Sequence, residues 1–158
     1  MLKYVDAKVV FAEVPDEVTL AINISNCPCQ CKGCHSSYLA QDIGKRLSFR
    51  SLYELITEKN KGISCVAFMG GDSDPSRINT LASFLRAHHY PVKIAWYSGR
   101  QELSNSIDLS NFDYIKLGPY KEEFGPLNSR TTNQRFYKVN GKELVDITSK
   151  FWKHETEN

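Results

Sequence analysis

Four of the chain's five cysteines fall within eight residues, Cys27-Pro28-Cys29-Gln30-Cys31-Lys32-Gly33-Cys34, and three of them, Cys27, Cys31 and Cys34, stand at C-x3-C-x2-C spacing. Thiolates are soft ligands that suit zinc and iron–sulfur clusters alike, so ligand type alone leaves both open. A zinc knuckle supplies a second close pair roughly 12 to 20 residues downstream, whereas here the next cysteine is Cys65, alone inside an apolar run. A metal held by three clustered thiolates keeps one coordination position for water or substrate, which is where metal chemistry takes place. Cys29 supports the competing reading. Cys27, Cys29 and Cys31 alternate along the chain and would share a face of an extended segment, and four thiols acting together would make a purely structural site. Cys65 reads as a small buried hydrophobe.

Two further segments carry chemistry. Gly70-Gly71-Asp72 ends the apolar run Ile63 to Met69, and a glycine pair at the end of a strand lets the backbone come close to a charged amino or carboxylate group. Asp72 by itself reads as a turn cap. Ser98-Gly99 follows the run Val92 to Tyr97 in the same way. His88-His89, at the end of a helical pattern, read as surface residues that offset the helix dipole.

The elements that must position these groups are legible from periodicity. Lys8 to Phe11 and Val18 to Ile24 are rich in β-branched residues with Pro15-Asp16 between, which predicts two strands joined by a turn, the second leading into the cysteine loop. Ser51-Leu-Tyr-Glu54 matches a capping box, and Leu52, Leu55 and Ile56 continue it as a helix ending near Lys61-Gly62. Asp74-Pro75 is an N-cap with Pro at the first helical position, and Ile78, Leu81, Phe84 and Leu85 form a stripe up to about His88 that packs on a sheet. The runs Ile63 to Met69 and Val92 to Tyr97 are apolar throughout, as strands buried on both faces are, and Tyr114 to Leu117 is a further short strand. Gly118 to Asn133, rich in Gly, Pro, Asn and Ser, is long for a connection and reads as a functional loop. Arg135 to Val139 and Leu144 to Ile147 flank Asn140-Gly141, the dipeptide of a type I′ hairpin.

The order βαβαβ(α)β predicts an α/β domain with an open, largely parallel sheet, because the chain is well short of the roughly 250 residues of a complete eight-fold barrel. In such sheets ligands gather at the carboxyl ends of the strands. The cysteine loop, Gly70-Gly71-Asp72 and Ser98-Gly99 are all expected there.

With 158 residues, 41% of them hydrophobic, residues 1–158 make a single domain with one real core. A net charge of +2 with scattered Lys and Arg provides no basic stripe, so no nucleic-acid partner is expected. No apolar run approaches the roughly 20 residues that span a bilayer. Met1-Leu-Lys-Tyr-Val-Asp lacks the pattern of a secretory signal, and thiols so close in sequence make poor disulfide staples. A cytoplasmic protein with metal-binding cysteines is expected.

These residues resemble the activating proteins of anaerobic ribonucleoside-triphosphate reductase, small members of the radical S-adenosylmethionine superfamily. The resemblance covers nearly the whole chain and rests on Asn23-Ile-Ser-Asn-Cys27-x3-Cys31-Lys-Gly-Cys34-His35, Met69-Gly-Gly-Asp72, Ala95-Trp-Tyr-Ser-Gly99, Asp113-Tyr-Ile-Lys-Leu-Gly118 and Asn128-Ser-Arg-Thr-Thr-Asn-Gln134. It implies a partial (β/α) barrel of the radical SAM type, and it makes Cys27, Cys31 and Cys34 the ligands of a [4Fe-4S] cluster whose fourth iron chelates S-adenosylmethionine, with Cys29 a non-ligand. Gly70, Gly71 and Asp72 correspond to the superfamily's Gly-Gly-Glu segment, which holds the methionyl amine. Gly33, Cys34, His35 and, by position, Ser98 are the further residues placed at this cofactor. The implied reaction is one-electron cleavage of S-adenosylmethionine to methionine and a 5′-deoxyadenosyl radical, which takes hydrogen from a glycine of the partner reductase. The implied electron donor is a reduced flavodoxin-like protein. Two alternatives share parts of this pattern: another radical enzyme of the superfamily acting on a small molecule or peptide, and a non-enzymatic zinc or iron–sulfur module.

Overall fold

The computed structural model describes residues 1–29 and 37–152. Eight strands form one open sheet: β1 (Lys3–Val10), β2 (Thr19–Ile24), β3 (Lys45–Arg46), β4 (Cys65–Met69), β5 (Lys93–Tyr97), β6 (Tyr114–Leu117), β7 (Arg135–Asn140) and β8 (Glu143–Asp146), in the order β3-β1-β2-β4-β5-β6-β7-β8. Among the described residues two α-helices accompany them, α1 (Phe49–Glu54), which runs on as a π-turn over Leu55–Lys59, and α2 (Pro75–Ala87). The architecture is mixed α/β with a sheet that does not close.

The expectation of a largely parallel sheet holds for the centre only. β2, β4, β5 and β6 pair in parallel, and the pairings outside them, β3–β1, β1–β2, β6–β7 and β7–β8, are antiparallel. The cause is the connections. The two-residue turn after β7 can only form a hairpin, whereas a parallel pair needs a crossover long enough to return to the same edge. Between β5 and β6 that crossover carries no α-helix, only a 3-10 turn over Leu109–Asn111.

Alternation along the central strands explains their unbroken apolar runs. Val66, Phe68, Ile94, Trp96 and Ile115 enter the larger core with Ile78, Leu81, Ala82 and Leu85 of α2 and Leu52 of α1. Cys65, Ala67, Ala95 and Tyr114 enter a second core on the opposite face with Val14 and Phe136. Ala21, Ala67 and Ala95 lie side by side in register, and this low row allows the β1–β2 loop to fold over the sheet, burying Val14 completely. Cys65 is fully buried as expected, and burial pushes its thiol up to about 12.

Local signals shifted in two places. The capping box of α1 is formed by Ser48 and Ser51, each side chain bonded to the other's backbone N–H, so the helix begins three residues before the box read from the sequence. In the terminal hairpin Asn140 pairs with Glu143, leaving Gly141-Lys142 as the two-residue loop. Gly141 alone is at positive φ, 65°, which is the signature of glycine at the first central position of a type II′ turn and not of type I′. The α2 reading stands: the Asp74 side chain accepts from the Arg77 N–H and Pro75 opens the helix. His88 caps its far end, with Nδ1 2.8 Å from the Phe84 carbonyl.

Two measurements check this packing. Leu81, fully buried between α2 and the sheet, should cost about 2–5 kcal/mol as Leu81→Ala in urea unfolding, the usual range for a core leucine. For Cys65, folded and unfolded chains both carry the thiol below pH 9, so stability is whole there. Between 9 and about 12 only the unfolded chain ionises, so stability falls as pH rises. Wild-type stability should therefore decline more steeply over that window than that of Cys65→Ala, by up to about 1.4 kcal/mol per pH unit.

Candidate functional site

Parallel pairing brings the carboxyl ends of β2, β4, β5 and β6 to one edge, and the residues in register there are Asn23, Met69, Tyr97 and Lys116. Immediately beyond them come Cys27, Gly70-Gly71-Asp72 and Ser98-Gly99, so the predicted convergence of three segments is present. Cys31, Gly33, Cys34 and His35 lie outside the described residues.

The chain leaves β2 through a held segment. Asn26 has φ 62°, its N–H donates to the Gln41 carbonyl, and the Cys27 N–H donates to the Leu39 carbonyl at 2.9 Å. The outgoing and returning limbs of the cysteine loop are thus bonded to each other at its base. Asp42 reinforces the base, its Oδ1 accepting from both Lys3 Nζ and Asn26 Nδ2.

Asp72 lies at the centre of this edge. Its side chain is 8% exposed, and a buried carboxylate must be supplied with donors. Ser98 Oγ donates to Oδ1 at 2.6 Å and the Gly99 N–H to Oδ2 at 2.8 Å. The Cys29 thiol donates to Oδ2 at 3.5 Å. One side chain therefore joins the cysteine loop, the end of β4 and the end of β5. Burial first and the Asp72 carboxylate second push the Cys29 thiol up to about 12, which keeps it protonated at neutral pH.

The glycine pair is strained in the way only glycine accepts, with φ 110° at Gly70 and 94° at Gly71. A Cβ at Gly71 would stand 2.6 Å from Ile78 Cδ1, so α2 also seats against this turn. The Gly70 carbonyl accepts from Trp96 Nε1 at 2.7 Å and the Gly71 carbonyl from the Asp74 N–H at 3.0 Å. Each carbonyl has a second lone pair for a bound amine. Ser98, expected as an additional ligand contact, is 1% exposed, with its hydroxyl donating to Asp72 and accepting from the Arg100 N–H.

By sequence Lys116 is an ordinary member of the strand Tyr114–Leu117. It is 7% exposed, and Nζ donates to the carbonyls of Ser98 and Gly118. The available signal was a lysine inside a four-residue strand whose other members are apolar, since lysine is among the side chains least often buried. Beside Asp72 a cleft of about 570 Å³ opens, lined by Pro75, Trp96, Ser98, Arg100 and Leu103 among others. A second cleft, between Phe49, Tyr53, Phe84 and Tyr90 on the helical face, shares no lining residue with it.

Of the four clustered thiols, two belong to the described residues: Cys27 is at the strand end and half-buried, while Cys29 is engaged by a carboxylate. Among the described residues no three His, Cys, Asp or Glu side chains gather as a metal site. Cys31 and Cys34 would have to complete it.

Fold and site together define a mixed α/β domain with a cysteine-bearing loop at the carboxyl edge of a parallel centre. No protein-family model matches the chain, and comparison with curated proteins and with solved structures returns no match. No helix among the described residues is long and apolar enough to cross a membrane.

Removing the central carboxylate tests its importance. Asp72→Ala leaves the Ser98 hydroxyl and the Gly99 N–H without their acceptor, at about 1–3 kcal/mol for each buried donor. Urea unfolding of the metal-free protein should show a loss of about 2–6 kcal/mol by the same reckoning; an unchanged midpoint would mean that the three segments are held by other contacts.

Proposed function

We propose that this protein is a radical S-adenosylmethionine activase that generates a glycyl radical on an anaerobic ribonucleoside-triphosphate reductase. The observation that carries the reading is the meeting of the cysteine loop, Gly70-Gly71-Asp72 and Ser98-Gly99 at one strand edge, where the Asp72 carboxylate bonds Cys29, Ser98 and Gly99. A ligand spanning that edge would touch both the metal loop and the glycine turn. The open sheet with its parallel centre is compatible with a partial (β/α) barrel.

Cys27, Cys31 and Cys34 would hold the [4Fe-4S] cluster, and Gly70 and Gly71 would receive the methionyl amine of S-adenosylmethionine through their carbonyls. Gly33, His35 and Asp72 are assigned to the same cofactor from sequence. When bound, these groups would supply reductive one-electron cleavage of S-adenosylmethionine, with a reduced flavodoxin-like protein as electron donor and a glycine of the partner reductase as the site of hydrogen abstraction. The chain's own contribution is positioning and exclusion of water. Trp96 fixes the Gly70 carbonyl, Asp74 fixes that of Gly71, and Lys116 holds the Ser98 and Gly118 carbonyls at the same edge. The segment Gly118 to Asn133 borders this edge through Gly118, whose carbonyl Lys116 binds, and is the surface assigned to the reductase's glycine loop. A cytoplasmic site of action follows from these partners.

Anaerobic reconstitution with iron and sulfide, followed by assay of 5′-deoxyadenosine released from S-adenosylmethionine, tests the proposal. Cys27→Ala, Cys31→Ala and Cys34→Ala should each abolish release while Cys29→Ala keeps it, because a ligand thiolate cannot be replaced by a methyl group. Zinc in place of about four irons per chain would select a structural metal module. Release of 5′-deoxyadenosine without a glycyl signal in electron paramagnetic resonance, when reductase is added, would select a radical enzyme with another substrate.

A further inference from the structure

We infer that Asp72 is a positioning residue that holds Cys29 out of the metal's ligand set, so that the cysteine loop offers three thiolates and not four. This rests on the cluster reading above and assigns Asp72 and Cys29 roles within it. Four thiols in eight residues present a register problem, since Cys27 and Cys29 are two positions apart and compete for the same ion. The geometry resolves it with a seat built for one particular sulfur.

Three observations define the seat. The Asp72 carboxylate comes from 43 residues away to accept the Cys29 thiol, and its orientation is not adjustable, because Ser98 Oγ and the Gly99 N–H already fix both oxygens from the end of β5. Gly99 has no Cβ where Cys29 sits: an added Cβ would be 2.7 Å from Cys29 Sγ and 3.2 Å from its Cβ, so the sulfur occupies the space a side chain at 99 would fill. Finally, the Asn26 and Cys27 N–H groups are bonded to the returning limb at Gln41 and Leu39, which sets the point from which the chain reaches the seat. A sulfur bonded to Asp72 at the ends of β4 and β5 is already committed to a partner. Asp72 thereby selects which thiols remain for metal.

The test reads metal-dependent protection of each cysteine from alkylation, which needs no activity. Full-length protein, with and without anaerobic iron and sulfide loading, is treated with iodoacetamide and the modified cysteines are mapped by mass spectrometry. In wild type, loading should slow Cys27 by about tenfold or more and change Cys29 by less than about twofold, since only a coordinated thiolate loses its reactivity on loading. Asp72→Asn keeps the shape and the acceptor for Ser98 but turns an amide NH2 toward the Gly99 N–H, donor facing donor, and removes the carboxylate oxygen that accepts from the Cys29 thiol. Loading should then slow Cys29 by about fivefold or more, as a released thiol joins the ligand set. Gly99→Ala should do the same by occupying the sulfur's space with Asp72 intact, and it decides the matter should circular dichroism show Asp72→Asn unfolded. Wild-type Cys29 protected as strongly as Cys27, or folded variants whose Cys29 stays as indifferent to loading as in wild type, would overturn the inference while leaving the cluster reading standing. Wild-type Cys27 unaffected by loading would instead sink the cluster reading, and this inference with it.

Discussion

A single buried carboxylate organises the functional edge of this protein. Asp72 sits where three chain segments end, and a charge out of water is tolerable only if donors replace its hydration. Those donors are a serine hydroxyl, a backbone N–H and a thiol, drawn from β5 and from the cysteine loop. Satisfying the charge and fixing the loop are therefore the same event. The glycine turn before it and the N-cap Asp74 after it place Asp72 at the junction of β4 and α2.

The sheet supports this edge through its parallel centre. Because β2, β4, β5 and β6 run the same way, every loop leaving them emerges on one side, and antiparallel hairpins at the flanks contribute breadth without adding chemistry there. The two faces are finished differently. Helices α1 and α2 cover one with large aliphatic side chains. The other is closed by the chain's own β1–β2 loop and its last 3-10 turn, Thr148–Phe151, lying over small residues such as Ala67 and Ala95. Tyr97 bonds to the Glu13 carbonyl, and Tyr114 donates to Glu17, which pins that loop to the sheet.

Much of the fold was legible because the signals were local. The Asp74-Pro75 start of α2, the apolar runs that became β4 and β5, and the strand Tyr114–Leu117 depend on periodicity and on caps within a few residues of each other. What escaped depended on partners far along the chain. The one-residue shift of the hairpin turn lies in the β7–β8 register, in which Asn140 pairs with Glu143. The edge strand β3, two residues long, exists only because β1 offers it a free edge. At the site, the sequence named Asp72 and Ser98 separately, and neither periodicity nor spacing could show that they bond to each other.

By itself the sequence determined the composition of the cysteine loop, the order of strands and helices, and the turn residues that end each strand, because these follow from steric preferences and from which residues avoid water. Tertiary structure alone decided that only the sheet's centre is parallel, that Lys116 is buried, and that Cys29 is claimed by a carboxylate 43 residues away. The reason is physical: the environment of a charged or sulfur-bearing group is set by whichever segments the fold packs around it, and those segments are remote in sequence.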